Sequence, residues 1–354
     1  MKIAIIGTVG VPASYGGFET LVENLIEDVT SHYTVYCSGP HYSEQIESYK
    51  NALLIYLPFK ANGFQSIIYD VVSMLHALWS GHRNLLILGT SGAFVLPLVR
   101  LFSPNINMVI NIDGLEWKRQ KWKGFVKLFL KLSEGVAVRF SSTVVADNQA
   151  ITNYVEEKYN RVCETIAYGG DHAVIDNSVA ESTARSNENG PYAFALCRIE
   201  PENNVHMILE AFAGLKLNLI FVGNWQASDY GRGLLQRYSS VSNIELIKPI
   251  YDLETLAFYR RNCEVYVHGH SAGGTNPSLV EMMHFERPIV AFDCVYNRAT
   301  LEDLGFYFSS VSTLSHIVEE SQFRGEGVKF GDIARRRYTW DIVRTQYRDL
   351  FDAK

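Results

Sequence analysis

HGHSAGGTNPSLVEMM, residues 268–283, joins a short β-branched run to a helical pattern through the glycine pair Gly273–Gly274. Asn276 is a good N-cap residue and Pro277 fits the first turn of a helix, so the pattern predicts a strand, a turn and a helix. Backbone N–H groups at such a turn lie at the carboxyl edge of a parallel sheet, where open α/β folds bind ligands. We therefore predict an anion-binding segment made of Gly273, Gly274, Thr275, Asn276, Pro277, Ser278 and Leu279.

Two charged residues accompany this loop. Glu281 falls in the first turns of the same helix, where its carboxylate can accept hydrogen bonds from vicinal hydroxyl groups. The helix dipole alone would also favour a carboxylate there. Arg198, in CRIEPENN (residues 197–204), ends an earlier strand and offers planar donors to a phosphate group. A salt bridge at the surface or between domains would equally explain this arginine.

The alternation of strand and helix patterns extends outward from this stretch over most of the chain. It predicts an α/β protein with two Rossmann-like domains, each built on a doubly wound parallel sheet. A polar stretch, Asp171 to Pro191, separates the two series, so we expect domains at 1–171 and 172–335 and an amphipathic helix within 336–354. The predicted strands are Ile3–Ile6, Thr34–Cys37, Leu53–Leu57, Leu85–Leu88, Met108–Ile112, Thr143–Ala146, Tyr192–Cys197, Leu217–Val222, Ile244–Leu246, Val265–His268 and Pro288–Phe292.

A second glycine-rich loop, GTVGVPASYGG at residues 7–17, follows the first predicted strand. Gly16 and Gly17 precede an apolar helical stripe, so a diphosphate could approach a helix N-terminus there. A plain flexible turn is an equally good interpretation. The loop lacks a clean GxGxxG, and the second strand ends in Tyr36, Cys37 and Ser38 without an acidic ribose ligand, which disfavours an NAD enzyme.

Asp113 is the candidate catalytic residue. It follows the predicted strand Met108–Ile112, and the carboxyl ends of strands face the ligand cleft in such folds. A carboxylate at that position could contact a bound ligand or accept a proton. Because Asp-Gly pairs are common in tight turns, Asp113–Gly114 could also be a turn with no chemical role.

Composition limits the other possibilities. The chain has 354 residues and a formal net charge of −6, which excludes a nucleic-acid binder that depends on a general basic field. Its five cysteines are dispersed, so a disulfide framework or zinc site is not expected and a reducing compartment fits. We find no signal-peptide pattern and no apolar run of about 18 residues, and expect a cytoplasmic protein.

One basic and aromatic segment, LEWKRQKWKGFVKLFLKL at residues 115–132, is similar to helices that lie on anionic membranes. An ordinary basic surface helix is an equal alternative. Membrane contact on the inner face would involve Trp117, Lys118, Arg119, Lys121, Trp122 and Lys123. A separate stripe, expected to face the core, comprises Ile67, Ile68, Val71, Val72, Leu75 and Leu78.

Together these motifs resemble the retaining GT-B glycosyltransferases of family four. The resemblance rests on a PxxxGGxE-like loop (Pro12, Gly16, Gly17, Glu19), IAYGGD at 166–171, CRIEPENN, GGTNPSLVEMM and the terminal YTWDIVRTQY. It implies two domains facing across a cleft and a C-terminal helix that crosses back to the first domain. It also implies that Gly16, Gly17, Arg198, Asn203, Glu281 and the loop 273–279 bind a nucleotide-sugar donor.

GFETLVENL, DGLEWKRQKW and HSAGGTNPSLVE are similar to the rhamnosyltransferase-like subgroup. That similarity implies dTDP-rhamnose as donor and a saccharide or lipid-linked saccharide as acceptor, in the synthesis of surface polysaccharide. Two positions depart from the family pattern. Gly273 stands eight residues before Glu281, where the family has a second glutamate, and Asn203 stands where the phosphate loop has a lysine.

The resemblance implies transfer with retention, through front-side attack in which the leaving diphosphate helps to take the acceptor's proton. Protein groups then mainly position the substrates and stabilise charge. Similar enzymes place a histidine or equivalent polar residue after the strand that is Met108–Ile112 here, so the resemblance implies that Asp113 orients the donor sugar or accepts the acceptor's proton. The sequence has no Asp-x-Asp and no HExxH, so we expect neither metal nor other cofactor. A sugar-nucleotide epimerase and a noncatalytic nucleotide-sugar binding protein remain alternatives. A glycosidase is disfavoured, because no pair of carboxylates suits the acid and nucleophile roles.

Overall fold

The computed structural model describes residues 1–13, 16–118, 124–175, 190–321 and 323–352. The chain forms two compact units, Met1–Tyr168 with Trp340–Lys354, and Gly169–Thr339. Each unit contains one largely parallel sheet with helices packed on it, so the predicted α/β class with two Rossmann-like domains is confirmed.

The first unit is built on an eight-stranded sheet in the order β3-β4-β2-β1-β5-β6-β7-β8. Strand β3 pairs antiparallel with β4, and the other pairs are parallel. Its strands are β1 Lys2–Ile6, β2 His32–Ser38, β3 Ser48–Tyr49, β4 Ala52–Leu57, β5 Asn84–Leu88, β6 Asn107–Asn111, β7 Thr143–Ala146 and β8 Cys163–Thr165. Its helices are α1 Gly17–Leu25, α2 Gln65–Trp79, α3 Leu96–Phe102, α4 Gly124–Phe140, α5 Gln149–Tyr159 and the C-terminal α13 Trp340–Asp352.

The second unit has a six-stranded parallel sheet in the order β11-β10-β9-β12-β13-β14. Its strands are β9 Tyr192–Leu196, β10 Asn218–Val222, β11 Ile244–Ile247, β12 Val265–His268, β13 Ile289–Phe292 and β14 Phe306–Phe308. Its helices are α6 Val205–Phe212, α7 Asp229–Tyr238, α8 Leu253–Asn262, α9 Pro277–Met283, α10 Val295–Thr300, α11 Val311–Glu320 and α12 Val328–Arg337.

The central strands are buried on both faces, which is why they appear in the sequence as continuous apolar runs. In β1, Ile3 to Ile6 are all buried, and in β9, Tyr192 to Ala195 are buried. Full burial of one such large apolar side chain contributes roughly 1.5–3 kcal/mol. Helices cover both sides of each sheet, so the sheets are held by cores on both faces.

The strand order reverses once in each unit. In the first unit the chain moves from β1 toward β2 and then returns to β5 on the other side of β1. In the second unit it moves from β9 toward β11 and then returns to β12 on the other side of β9. At such a switch point the two loops at the carboxyl edge diverge and leave a crevice, so β1/β5 and β9/β12 are the expected ligand positions.

Helix α13 belongs to the first unit, as the predicted return of the C-terminal helix requires. Asn111 Nδ2 donates to Tyr347 Oη at 2.7 Å, and Arg344 Nη1 donates to the Asn24 carbonyl at 3.3 Å and lies 3.0 Å from Glu27 Oε2. Trp340, Val343, Tyr347 and Phe351 form its buried face. Helix α13 is therefore held to α1 and β6 by apolar packing and polar contacts.

The predicted core-facing stripe of α2 is wrong at two of its six positions, and the other four are only half-buried. Ile68 and Leu75 are exposed, whereas the buried face comprises Tyr69, Asp70, Ser73, Met74 and Ala77. Tyr69 Oη donates to the Thr8 carbonyl at 2.9 Å and to the Tyr36 carbonyl at 2.6 Å. These bonds hold the polar and small-residue face of the helix against the sheet, while Ile67, Val71, Val72 and Leu78 are half-buried.

Within the part of the chain that the structure describes, we find no helix that combines the length and apolar character needed to cross a bilayer.

Candidate functional site

The loops after β9 and β12 lie side by side at the switch point of the second sheet. Asn204 Nδ2 donates to the Gly269 carbonyl at 2.9 Å, and the Ser271 N–H donates to the Glu202 carbonyl at 3.0 Å. A side chain at Gly269 would collide with the carbonyl oxygen of Asn203, so only glycine permits this approach. The sequence motifs around Arg198 and Gly273 are thus brought to one edge of one sheet.

Arg198 extends from the loop after β9 and is half exposed. Its Nη1 lies 3.7 Å from Glu200 Oε1, an exposed and weak ion pair that a stronger anion can displace. Asn203 is buried, and its Nδ2 donates to the Arg198 carbonyl at 2.7 Å. In this structure Asn203 therefore fixes the backbone that carries Arg198, and its contact with a donor stays a prediction.

The start of α9 has the predicted capping. Asn276 Oδ1 accepts the Ser278 N–H at 3.1 Å and the Ser278 hydroxyl at 2.8 Å, and Pro277 occupies the first turn. The Leu279 N–H is bonded to the Asn276 carbonyl, and the Leu279 side chain is buried. The amides of Ser278 and Leu279 are therefore used within the helix, and their role in anion binding stays a prediction.

The turn before α9 needs glycine for its backbone conformation. Gly273 has φ +108°, outside the range that side chains tolerate, although nothing lies within 4 Å of where its Cβ would be. Gly274 and Pro277 are half-buried beside it, and Thr275 is buried. The space around Gly273 leaves the loop open to a ligand.

Glu281 forms an ion pair with Arg260 that the sequence analysis did not predict. Its Oε2 accepts a hydrogen bond from Nη2 of Arg260 on α8, and its Oε1 lies 3.5 Å from Nε2 of His172. Arg260 is only 2% exposed. A buried guanidinium without a counter-charge is strongly destabilising, so Glu281 has a structural role whether or not it also contacts a ligand.

His172 comes from the segment that follows IAYGG. Gly170 packs so closely on Val280 and Glu281 that a side chain there would collide with the α9 backbone. This approach places His172 beside Glu281. Burial lowers the pKa of His172, while the nearby Glu281 carboxylate acts in the opposite direction. His172 is thus a neutral donor or acceptor beside that carboxylate near pH 7.

Sequence reasoning missed both Arg260 and His172. One signal for Arg260 was present, because it continues the buried positions Leu256 and Ala257 on α8 and a charged residue on a buried helix face requires a partner. The partner itself, 21 residues further along the chain, could not be identified from spacing. His172 carried no comparable signal.

His268 ends β12 and is buried beneath the same loops. Its ring stacks on His270 with centroids 4.4 Å apart, and its Nε2 finds no hydrogen-bond partner among the described residues. Burial lowers the pKa of His268 well below the usual value, and His270 lowers it further. The imidazole of His268 is therefore neutral near pH 7.

In the first unit the Glu19 carboxylate is hydrogen-bonded to the glycine-rich loop. Glu19 Oε1 accepts the Val9 N–H at 2.8 Å and the Thr8 hydroxyl at 3.0 Å, and a side chain at Gly16 would collide with Glu19. Gly17 begins α1, close to the Tyr168 hydroxyl. A carboxylate therefore occupies the region at the start of α1, and phosphate binding by Gly16 and Gly17 stays a prediction.

Asp113 follows β6 in a left-handed conformation with φ +61°. Its N–H donates to Asn111 Oδ1 at 2.9 Å, while the same Asn111 side chain donates to Tyr347 on α13. Burial raises the pKa of Tyr168, and Asp113 raises it further, which places the Asp113 carboxylate near that phenol. The turn geometry fits the structural interpretation of Asp113, and its catalytic role stays a prediction.

The predicted membrane segment is described only in part. Arg119, Lys121, Trp122 and Lys123 lie outside the described residues. Trp117 Nε1 donates to the buried Glu134 at 2.8 Å, and Lys118 Nζ lies 5.6 Å from the Trp117 ring centroid. Trp117 is thus anchored to α4 by a hydrogen bond to a buried carboxylate.

Two family profiles match the chain in succession. Residues 1–171 match a domain of unknown function, DUF1972, and residues 179–307 match Glycosyl transferases group 1. The second match covers the loops after β9 and β12 together with α9. No curated protein matches the chain in sequence.

Several solved structures share the whole fold at low sequence identity. The sucrose-phosphate synthase of Thermosynechococcus elongatus has 17% identity and a TM-score of 0.83, with 100% of each chain covered. HepE from Anabaena, solved with UDP-glucose, has 16% identity and a TM-score of 0.74, again with 100% of each chain covered. The catalytic domain of starch synthase IV from Arabidopsis thaliana, bound to ADP and acarbose, has 12% identity and a TM-score of 0.72, covering 99% of this chain and 98% of that one. The chain thus has the fold of the GT-B glycosyltransferases, and residues 179–307 of its second unit match the Glycosyl transferases group 1 model.

Proposed function

We propose that this protein is a glycosyltransferase that moves a sugar from a nucleoside diphosphate onto an acceptor hydroxyl. The observation that carries the proposal is the coincidence of the group 1 match at residues 179–307 with the switch point between β9 and β12. That position is where an open α/β sheet binds its ligand, and Arg198 and Gly273 lie there. The complexes of HepE with UDP-glucose and of starch synthase IV with ADP support a nucleotide ligand.

In this proposal Arg198 binds the diphosphate. Its guanidinium is half exposed and its existing partner, Glu200, is 3.7 Å away, so it can turn toward a ligand at little cost. A guanidinium matches the geometry of phosphate oxygens with two parallel hydrogen bonds. Asn203 supports this function by holding the Arg198 backbone. The chain lacks the second cation of the family pattern, so backbone N–H groups of residues 273–276 would supply the remaining donors.

Glu281 binds a ribose hydroxyl in this proposal. One carboxylate oxygen accepts from Arg260, which fixes the orientation of the group, and Oε1 faces His172 at 3.5 Å. That distance is longer than a hydrogen bond, so Oε1 retains capacity to accept one from a ligand hydroxyl. His172 then stands beside the same hydroxyl as a neutral partner.

The transfer proceeds with retention at the anomeric carbon. The acceptor oxygen forms its bond to that carbon as the bond to the diphosphate oxygen breaks on the same face, and the acceptor proton passes to the departing phosphate. Asp113 orients the donor sugar or the acceptor hydroxyl. The protein accelerates the step by positioning and by stabilising negative charge on the leaving group, without a metal ion.

The donor sugar is rhamnose from dTDP-rhamnose, and the acceptor is a saccharide or lipid-linked saccharide of a surface polysaccharide. Gly273 supports a deoxy sugar. With glycine in place of the family's second glutamate, the loop lacks a carboxylate that would accept a hydrogen bond from a sugar hydroxyl, and a deoxy sugar has one hydroxyl fewer to bind. UDP-glucose, the ligand of HepE, is the competing donor.

The experiment is a measurement of nucleotide release. The protein is incubated with dTDP-rhamnose or UDP-glucose, with and without a panel of saccharide acceptors, and both free nucleoside diphosphate and sugar product are quantified. Acceptor-dependent release with one donor, and a glycosidic product of retained configuration, are expected. Conversion of the nucleotide sugar without an acceptor would instead indicate an epimerase, and tight binding without turnover would indicate a binding protein.

Arg198→Ala and Arg232→Ala form a matched pair for the same assay. Arg232 lies on α7 of the same unit, pairs with Asp229 at 2.5 Å and has a side chain as exposed as that of Arg198. We expect Arg198→Ala to lose turnover and Arg232→Ala to retain it. Equal activity of both variants would remove Arg198 from the site.

A further inference from the structure

Three consecutive helical segments of the first unit expose an unusual set of large apolar side chains. Trp79, Phe102 and Phe125, one on each of α2, α3 and α4, are 86%, 80% and 81% exposed. The other exposed apolar residues on or next to these helices are Phe64, Ile68, Leu75, Phe94, Leu98, Leu101, Val126, Leu128 and Leu132. A set of this size is more than the scattered exposed apolar residues of an ordinary surface.

Topology places these segments in one layer. The connections β4 to β5, β5 to β6 and β6 to β7 all step in the same direction along the sheet. Parallel crossovers are right-handed, so α2, α3 and α4 cover the same face of the sheet. Helices α3 and α4 pack together, and the Phe94 and Phe129 rings lie 5.0 Å apart at their junction. The exposed side chains therefore share the outer surface of one helical layer, which we call the α2–α4 face.

The charge of this face has a single sign. The two acidic residues within α2, α3 and α4 are Asp70 and Glu134, and both are buried. Glu134 accepts hydrogen bonds from Trp117, Tyr154 and Tyr159 and pairs with Lys158 at 3.0 Å. Of the remaining cations on α4, Lys131 and Arg139 are exposed, and neither forms an ion pair within the described ranges. An apolar and basic face thus occurs on a chain whose net charge is −6.

A groove of about 500 Å³ lies on the same layer between α4 and α5. Its walls are the apolar side chains of Leu128, Leu132 and Val136. Lys131 and Arg139 supply the positive charge, because the charge of Lys158 is balanced by Glu134. Apolar walls with cations are the combination that accommodates an anionic amphiphile.

We propose that the α2–α4 face docks the protein on an anionic lipid surface. Apolar side chains such as Trp79 and Phe125 insert at the interface between headgroups and acyl chains, while Lys127, Lys131 and Arg139 contact the lipid phosphates. A second copy of this chain is a poorer occupant, because a symmetric contact would bring two positive faces together. The proposal concerns an interaction surface and stands independently of the donor and reaction proposed above.

The test is cosedimentation of the protein with lipid vesicles. We expect binding to equimolar phosphatidylglycerol and phosphatidylcholine vesicles, weak binding to phosphatidylcholine alone, and release by high salt. Lys127→Glu/Lys131→Glu should reduce affinity for the anionic vesicles roughly tenfold or more. Trp79→Ser/Phe125→Ser should reduce it comparably, because both side chains are exposed and their removal leaves the core intact.

Two control variants carry equivalent changes elsewhere. Val29→Ser/Val162→Ser removes exposed apolar residues of the same unit, and Lys216→Glu/Arg237→Glu reverses two charges of the second unit. Both should bind anionic vesicles like the unchanged protein. Circular dichroism verifies that each variant is folded.

Three outcomes would overturn the proposal: no binding of the folded protein to anionic vesicles at low salt, equal loss of binding in the control variants, or binding that does not depend on lipid charge. Analytical ultracentrifugation of the same variants can give a fourth outcome that overturns the proposal. If Trp79→Ser/Phe125→Ser converts a dimer into a monomer without altering vesicle binding, the face is a contact between copies of the chain.

Discussion

The carboxylate of Glu281 is bonded to the guanidinium of Arg260, which lies almost fully buried on the neighbouring helix α8. This pair couples the stability of the second unit to the residue proposed to bind ribose. Arg260→Ala should therefore lower the free energy of unfolding by about 3–5 kcal/mol, since it leaves a charge unpaired and a cavity behind. Chemical denaturation measures the change. Arg232→Ala, which breaks an exposed pair, should cost no more than about 1 kcal/mol, and a similar cost for both variants would contradict the account.

A pH dependence of stability follows from His268. Because burial depresses its pKa in the folded state, the unfolded chain binds this proton more readily, and stability falls as the pH drops below about 6.5. The expected loss from this residue is about 1.4 kcal/mol per pH unit until the folded-state pKa is reached. The free energy of unfolding, measured by chemical denaturation at pH 7.5 and 5.5, should differ less between the two pH values for His268→Gln than for the unchanged protein. Parallel losses in the two proteins would exclude His268 as the cause.

The Asn111 side chain links the C-terminal helix to the candidate catalytic turn, because it donates to the Tyr347 hydroxyl on α13 and accepts from the Asp113 N–H. Tyr347→Phe removes the hydroxyl and should reduce stability by about 1–2 kcal/mol and also slow sugar transfer. Tyr338→Phe is the matched control, since Tyr338 is a buried tyrosine whose hydroxyl donates to the Thr300 carbonyl at 3.0 Å in the second unit. Stability and kcat are measured for both. If kcat falls equally in the two variants, the link from Tyr347 to Asp113 has no catalytic significance.

Removal of divalent metal should leave activity unchanged. The sequence contains no Asp-x-Asp, and the proposal assigns the diphosphate charge to Arg198 and backbone N–H groups. Nucleotide release is compared before and after treatment with EDTA, followed by addition of Mg²⁺ or Mn²⁺. Loss of release on chelation, with recovery on addition of one of these ions, would require a metal site in the mechanism.

Much of the fold was predictable because strand burial produces a strong local signal. The runs Ile3–Ile6 and Tyr192–Cys197 mark β1 and β9, and the β12–α9 unit follows from Asn276 and Pro277 at the helix start. The strands that sequence analysis missed are short edge or near-edge elements: Ser48–Tyr49, Cys163–Thr165 and Phe306–Phe308. Strands of two or three residues carry too few positions to form a pattern.

The exposure of Ile68 and Leu75 on α2 could not be predicted, for a different reason. An aliphatic stripe at helical spacing normally faces the core, but here Tyr69 makes two long-range hydrogen bonds that only the assembled sheet provides. The candidate site likewise contains residues that motifs identify and residues that only the folded chain brings together. Arg198 and Glu281 were accessible from motifs, whereas Arg260 and His172 contact Glu281 through the fold.

The most direct test of the transferase account is calorimetric titration of the protein and of Arg198→Ala with dTDP, UDP and ADP, in buffer without divalent metal. At least one nucleotide should bind at a single site, and Arg198→Ala should weaken its affinity about 10- to 100-fold, the loss expected for charge-assisted hydrogen bonds worth roughly 1.5–3 kcal/mol. Binding of none of the three nucleotides to the folded protein, or unchanged affinity in Arg198→Ala, would contradict the assignment of the nucleotide site to the edge between β9 and β12.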